Sequence, residues 1–430
     1  MGRTARQDCD QSIGGATVRR RQVFYIPGYD PIHPRRYREL YRSESATQAA
    51  ISGYQISLRP KQADGPYGWH VEAEIDGTEV TADVEVLVWS DIVRGSMAAS
   101  IPATYLQLSR TAWTYISTGA LFRLMRLRKG PVIAALYPVG MLLLQLLLAL
   151  ALGAVVGGTI DWLAQWALNP VAGPQTAAVI GAVAFIAALI LTVIELLRWF
   201  KARDGKLFAY YLMHDYAYSA ASRGANPPEL EARMAEFRRL IRRAIEENTV
   251  DEVLVVGHSS GAHVGVSVLA DLLREGLPAA RPALGFLSLG QVVPMVSFLP
   301  KADRLRGDLR YLSVSPELSW VDVSAPGDGC AFALCDPVCV SGVAPDEKRW
   351  PLVVSAAFTQ TLSPERWKEL RWRFFRLHFQ YLCAFDRPGD YDYFQITAGP
   401  ISLAERYEGR PASKSRIEAP TSGYTSVPSP

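Results

Sequence analysis

The sequence predicts an α/β protein, a mostly parallel sheet with helices on both faces, interrupted by a two-helix transmembrane hairpin. Three observations predict it. Short β-type runs alternate with helical stretches along most of the chain, the pattern of a covered parallel sheet. Residues 130–197 contain no Lys or Arg. A Gly-x-Ser-x-Gly pentapeptide, Gly257 to Gly261, stands between a β-type run and a helical one. At 430 residues, the chain holds two or three domains of roughly 100–200 residues, or one large α/β domain with insertions.

The apolar block decides the compartment. Its only charged residues are Asp161 and Glu195. Two apolar runs lie inside it, about 132–156 and 176–197. As helices they span roughly 37 Å and 33 Å, more than the ~30 Å hydrocarbon core of a bilayer. A buried core helix of that length normally keeps a polar face, and neither run has one. Arg123, Arg126, Arg128 and Lys129 precede the first run, and Arg198, Lys201, Arg203 and Lys206 follow the second. The connection at 157–175 has no positive charge. The positive-inside rule therefore places both termini and the bulk of the chain in the cytoplasm, with the loop outside. Trp162 and Trp166 in that loop, and Trp199 beside the basic cluster, suit interfacial anchors.

The remaining elements follow in order. Residues 1–21 carry Arg3, Arg6, Arg19, Arg20 and Arg21 but no apolar core, so they are not a secretory signal and are expected to be disordered. Gly2 follows Met1, but Arg6 breaks the myristoylation pattern. The first part of the soluble domain spans 22–129. A strand at 22–26 ends in Pro27-Gly28. Runs at 54–58 and 69–75 alternate, and Asp76-Gly77 is a turn signal before 80–84. Residues 84–89 form a buried strand, and 98–127 a helix leading into the hairpin at 130–200. The second part of the domain spans 201–400. Helical spacing covers 207–222 and 228–247, with Asn226 as cap and Pro227 or Pro228 in the first turn. A strand at 252–256, a helix at 261–275, strands at 283–289 and 320–323, and a long helix at 364–385 complete it. The tail, 401–430, is rich in Ser, Pro, Gly and charge and is expected to be disordered.

The pentapeptide carries the chemistry. Gly257-His258-Ser259-Ser260-Gly261 follows β-branched residues and precedes a helix, the strand–turn–helix context of a nucleophile elbow. Glycines on either side let neighbouring backbone close on a strained turn. At a helix N-terminus, free N–H groups favour a developing oxyanion. In these residues the chain resembles the α/β-hydrolase superfamily over about residues 22–398, the hairpin excepted. The resemblance implies a triad in the order serine, acid, histidine. Only His263 and His378 follow Ser259. His263 lies inside the elbow helix, which leaves His378 as general base. The acid is sought after a late strand, where Asp328, in a Pro-Gly-Asp-Gly loop, is preferred. Asp322, within the strand pattern, is the alternative, and Asp336 a third. The resemblance also implies an oxyanion hole, assigned to the N–H groups of Tyr29 and Ser260. Pro27 stands where a His is usual in that loop. His258 is expected to pack rather than react, and Trp89 to Arg94 to line the pocket or brace it.

Composition excludes other classes. Hydrophobic residues are 49% and charged residues 20%, which rules out a disordered chain. A net charge of +3 is too small for a dedicated nucleic-acid binder. Five cysteines imply no disulfide framework. Cys330, Cys335 and Cys339 lack the two-residue spacing and fourth ligand of a zinc site, and neither metal nor cofactor is expected. The resemblance and the hairpin together imply a membrane-anchored serine esterase or lipase acting through an acyl-enzyme on Ser259. The expected partners are the bilayer and a small acyl ester or lipid. An acyltransferase on the same triad, a non-catalytic interaction module and a peptidase remain as alternatives.

Overall fold

The structure, a computed structural model, describes residues 17–29, 33–61, 64–89, 91–92, 95, 100–207 and 209–428, without the side chains of 206, 207, 215 and 216. Eight strands form one sheet: β1 (Arg20–Ile26), β2 (Gln55–Pro60), β3 (Gly68–Ile75), β4 (Thr78–Val86), β5 (Glu252–His258), β6 (Ala283–Leu289), β7 (Ser319–Ser324) and β8 (Leu352–Ser355). Their order is β2-β3-β4-β1-β5-β6-β7-β8. From β4 to β8 all neighbours pair in parallel, while β3 runs antiparallel to both β2 and β4. The alternation of strands and helices is thus realised as a mostly parallel sheet.

Side chains alternate across the sheet with the strand period of two. Val23 and Tyr25 of β1 join a core beneath the helices Arg35–Ser52 and Tyr393–Ala398. Phe24 and Ile26 join the opposite core, covered by the helices Pro228–Glu247, Gly261–Arg274 and Asp303–Val314. The runs expected at 80–84 and 84–89 are one strand, β4. The four-residue β8 was not foreseen, because a run so short has no periodicity to detect.

Several expectations need correction. Arg20 and Arg21 belong to the fold rather than to a disordered leader, while residues 1–16 lie outside the described part. Arg21 is buried, pairs with Glu252 at 2.6 Å and donates to the carbonyls of Gly399 and Ile401. The tail is laid along the domain rather than disordered. Its Ser413 N–H reaches Val353 O, Ile417 bridges Cys335, and Arg306 donates to Ser426 O at 2.7 Å. These backbone contacts need no apolar side chains, so composition conceals them. The long helix expected at 364–385 is instead three short pieces, Pro364–Leu370, Phe374–His378 and Gln380–Leu382. The breaks turn His378 inward.

Two helices are long and apolar enough to cross a membrane, Lys129–Ala172 and Pro174–Ala202. They form an antiparallel pair joined at Gly173, whose φ of 79° supplies the turn. The loop expected at 157–175 is therefore mostly helix, since its Ala, Leu and Trp residues extend the first rod to Ala172. Small residues bring the two backbones together: Gly153 faces Leu189, Gly157 faces Phe185 and Gly181 faces Asp161. Close approach through small residues is the usual packing device between helices in lipid. The leading helix expected at 98–127 is two, Ile101–Ser117 and Ala120–Leu127, broken at Gly119. Asn226 does not cap Pro228–Glu247; its amide donates to Glu231 instead.

Candidate active site

The chain leaves β1 toward β2 at the far edge of the sheet and leaves β5 toward β6 on the other side. The crevice between the carboxyl ends of β1 and β5 is thus a topological switch point, the usual binding position in such sheets. The segments Pro27-Gly28-Tyr29 and His258-Ser259-Ser260 meet there.

Ser259 follows β5 with φ of 57°, a left-handed conformation that is strained for a residue with a Cβ. Its N–H donates to Leu289 O at 2.9 Å, which ties the turn to β6. Gly261 is dictated by contact: a Cβ there would strike the carbonyl oxygens of Ile26 and Pro27. The helix Gly261–Arg274 starts immediately, so its first N–H groups have no partner within it.

The structure brings Asp328, and neither Asp322 nor Asp336, to His378. His378 Nδ1 donates to Asp328 Oδ2 at 2.7 Å, and both residues are buried. Asp328 also accepts from the Cys330 N–H at 2.8 Å and the Tyr381 hydroxyl at 3.0 Å. Burial pushes this carboxyl up, but the His378 ring and these donors outweigh it and hold it below its usual range. With Nδ1 engaged by Asp328, the other ring nitrogen, Nε2, is left for a different partner. Asp322 instead accepts from Ser288 Oγ at 2.6 Å within the sheet. Asp336 caps the turn Pro337–Val340 and pairs with Lys348 at 2.7 Å.

Three supports surround the pair: His258, expected to pack, and Tyr381 and Tyr211, which sequence reasoning missed. His258 stacks on His378 with centroids 4.8 Å apart, and its Nε2–H donates to the His378 carbonyl at 3.0 Å. Burial and the neighbouring His378 lower its pKa to about 3, so it stays neutral. Tyr381 links two parts of the acid loop, accepting from the Ala325 N–H and donating to Asp328. Tyr211 donates to Tyr29 O from the helix Ala209–Ala221. The partners of all three carry no sequence signal, because each pairing spans a long loop closure.

Both expected oxyanion donors border the cavity, and the Tyr29 N–H donates to Ser260 Oγ at 2.8 Å. Trp89 braces this loop by donating to Pro27 O at 2.9 Å; Ser90, Val93 and Arg94 lie outside the described residues.

Ser259, Ser260, His258, His263 and His378 border one cavity of about 400 Å³. Burial lowers the pKa of His263 to about 4, which keeps it neutral. No hydrogen bond joins Ser259 to His378 in this state. The lining also includes Tyr115, Pro131 and Asp204, from the segments that enter and leave the hairpin. Among the described residues, Asp336, Cys339 and Glu418 bring ligand atoms within 4.8 Å of one another, away from this cavity, with Asp336 engaged by Lys348. Comparison of the chain with family models, with curated proteins and with solved structures finds no match.

Proposed function

We propose that this protein is a membrane-anchored serine hydrolase of the α/β-hydrolase type, cleaving lipid-like carboxylic esters. The observation that carries the reading is the buried Asp328–His378 pair, 2.7 Å apart, on a cavity that Ser259 enters from a strained turn. In this mechanism Ser259 Oγ attacks the acyl carbonyl while His378 Nε2 takes its proton. Asp328 stabilises the imidazolium and does not itself become protonated. The proton then passes to the leaving alcohol, and water repeats the sequence on the acyl-enzyme. The gap between Ser259 and His378 closes in the substrate complex, since such contacts are often long in the free enzyme.

The Ser260 N–H stabilises the oxyanion. The Ser260 hydroxyl, accepting from Tyr29, has its own proton left to donate beside it. Loss of one such donor typically costs about 3 kcal/mol of transition-state stabilisation. The cavity volume lies in the ordinary range for small ligands. The substrate class follows from position: the cavity wall includes both feet of an apolar hairpin whose basic flanks favour cytoplasmic ends.

The test is covalent labelling by a fluorophosphonate probe in purified full-length protein. Wild type should label and Ser259→Ala should not, while His378→Ala labels far more slowly. Absence of labelling in folded wild type, or equal labelling of Ser259→Ala, would overturn the assignment.

A further inference from the structure

Away from the hairpin and the helices leading into it, large apolar side chains are exposed singly among the described residues, at Ile51, Ile401 and Val427, with one exception. Trp372, Phe374 and Phe375 are 72%, 45% and 42% exposed and stand almost side by side. Trp372 and Phe374 meet edge to face, 6.4 Å between centroids. Every residue from Arg371 to Arg376 is exposed. Soluble surfaces seldom gather aromatics this way without a partner.

The surrounding charge indicates the partner. Residues 364–376 hold five basic side chains, Arg366, Lys368, Arg371, Arg373 and Arg376, against Glu365 and Glu369. Glu369 is shared by Arg366, Arg373 and Arg376, while Arg371 lies over the Trp372 ring, 5.6 Å from its centroid. Aromatic rings interleaved with cations match the layer of headgroups at a membrane surface. Position agrees. The Phe374 ring packs on Gly329, and Gly329 packs on Gly130 in the first turn of the hairpin. Phe375 borders the catalytic cavity together with Pro131.

We propose that the Arg371–Arg376 edge is a second membrane contact, docking on anionic lipid of the cytoplasmic leaflet. This rests on the membrane reading above. The hairpin tethers the domain, and this edge orients it. His378 belongs to the same one-turn helix, Phe374–His378, so docking holds the cavity mouth against the leaflet that supplies the ester.

Hydrogen exchange on the full chain tests this, with one copy per lipid nanodisc of phosphatidylcholine alone or with added phosphatidylglycerol. Amides 371–376 should exchange about tenfold more slowly with the anionic lipid, and high salt should reverse much of that protection. Trp372→Ser with Phe374→Ser should abolish the protection while β5 and the elbow helix exchange as in wild type. Arg371→Gln with Arg373→Gln, which keeps all three aromatic rings but removes two cations, should weaken it. A protected hairpin with 371–376 exchanging equally in both lipids would overturn this proposal alone. An unprotected hairpin would overturn the membrane reading with it. Protection that appears only with two copies per disc would assign the edge to a second copy and overturn lipid docking.

Discussion

Asp322 and Asp328 are both buried and stand on one strand–loop segment, yet their surroundings drive them to opposite charge states. Asp322, inside β7, has the Ser288 hydroxyl as partner, while its second oxygen has none among the described residues. Burial dominates and raises its pKa to about 8, so it is mostly protonated at neutral pH. Asp328, on the loop beyond β7, meets three donors, and its pKa is lowered despite equal burial. Burial alone therefore does not decide whether a carboxyl stays ionised. What separates the two is the number of donors that a loop can gather and a strand interior cannot.

Four experiments break or sharpen this contrast, beginning with the largest effect. Asp328→Asn should lower ester turnover roughly 10⁴-fold, the cost of the matching change in a serine triad, through loss of the His378 tautomer. Asp322→Asn should leave turnover within a few-fold. Steady-state kinetics on folded variants decides this, and the reverse ranking would move the acid to Asp322.

The second test is the pH dependence of stability. A carboxyl raised on folding contributes stability that is lost as pH rises from its unfolded value, ~3.9, toward the folded one. For Asp322 the window runs from about 4 to about 8, with a slope near 1.4 kcal/mol per pH unit. Asp328, lowered on folding, has the opposite sign: its contribution is present above ~3.9 and lost as pH falls below it. Denaturation of wild type and Asp322→Asn across pH 4 to 8 should show the slope difference. Subtraction removes the other buried carboxyls that are raised, Glu85, Asp308, Asp336 and Asp392. Parallel curves would mean that Asp322 is ionised.

Ser288→Ala comes third. Ser288 Oγ donates to Asp322 and accepts from Trp320 Nε1 at 2.9 Å. Its loss leaves two buried polar groups unpaired and should cost about 1–3 kcal/mol of stability. Activity per folded molecule should not change. The smallest effect belongs to Tyr381→Phe. Removing one of the three donors to Asp328 should cost about 1 kcal/mol and lower turnover about tenfold, with residual labelling of Ser259. Loss as large as that of Asp328→Asn would make Tyr381 as important as the carboxylate it holds.

Much of this was legible in one dimension because it depends on local chemistry. The strand before Ser259, the glycines around it and the helix after it are neighbours in the chain, so their pattern is visible without a fold. The apolar hairpin is equally local, since its length and apolar character lie in continuous runs of neighbouring residues. Element limits were less secure wherever backbone contacts made the decision, as in the pieces of 364–385 and the ordered tail.

The sequence by itself determined the α/β class, two helices apolar enough for a bilayer, the elbow at Ser259 and a short set of candidate partners. Only the tertiary structure decided which acid meets His378, that β1 lies beside β5, and that Tyr29 reaches Ser260. It alone showed the Arg21–Glu252 pair, closed across most of the chain. The physical reason is that local propensity acts over a few residues, whereas these contacts join segments tens to hundreds of residues apart. Their partners are chosen by what the packed sheet brings within hydrogen-bond reach, and no spacing in the chain encodes that distance.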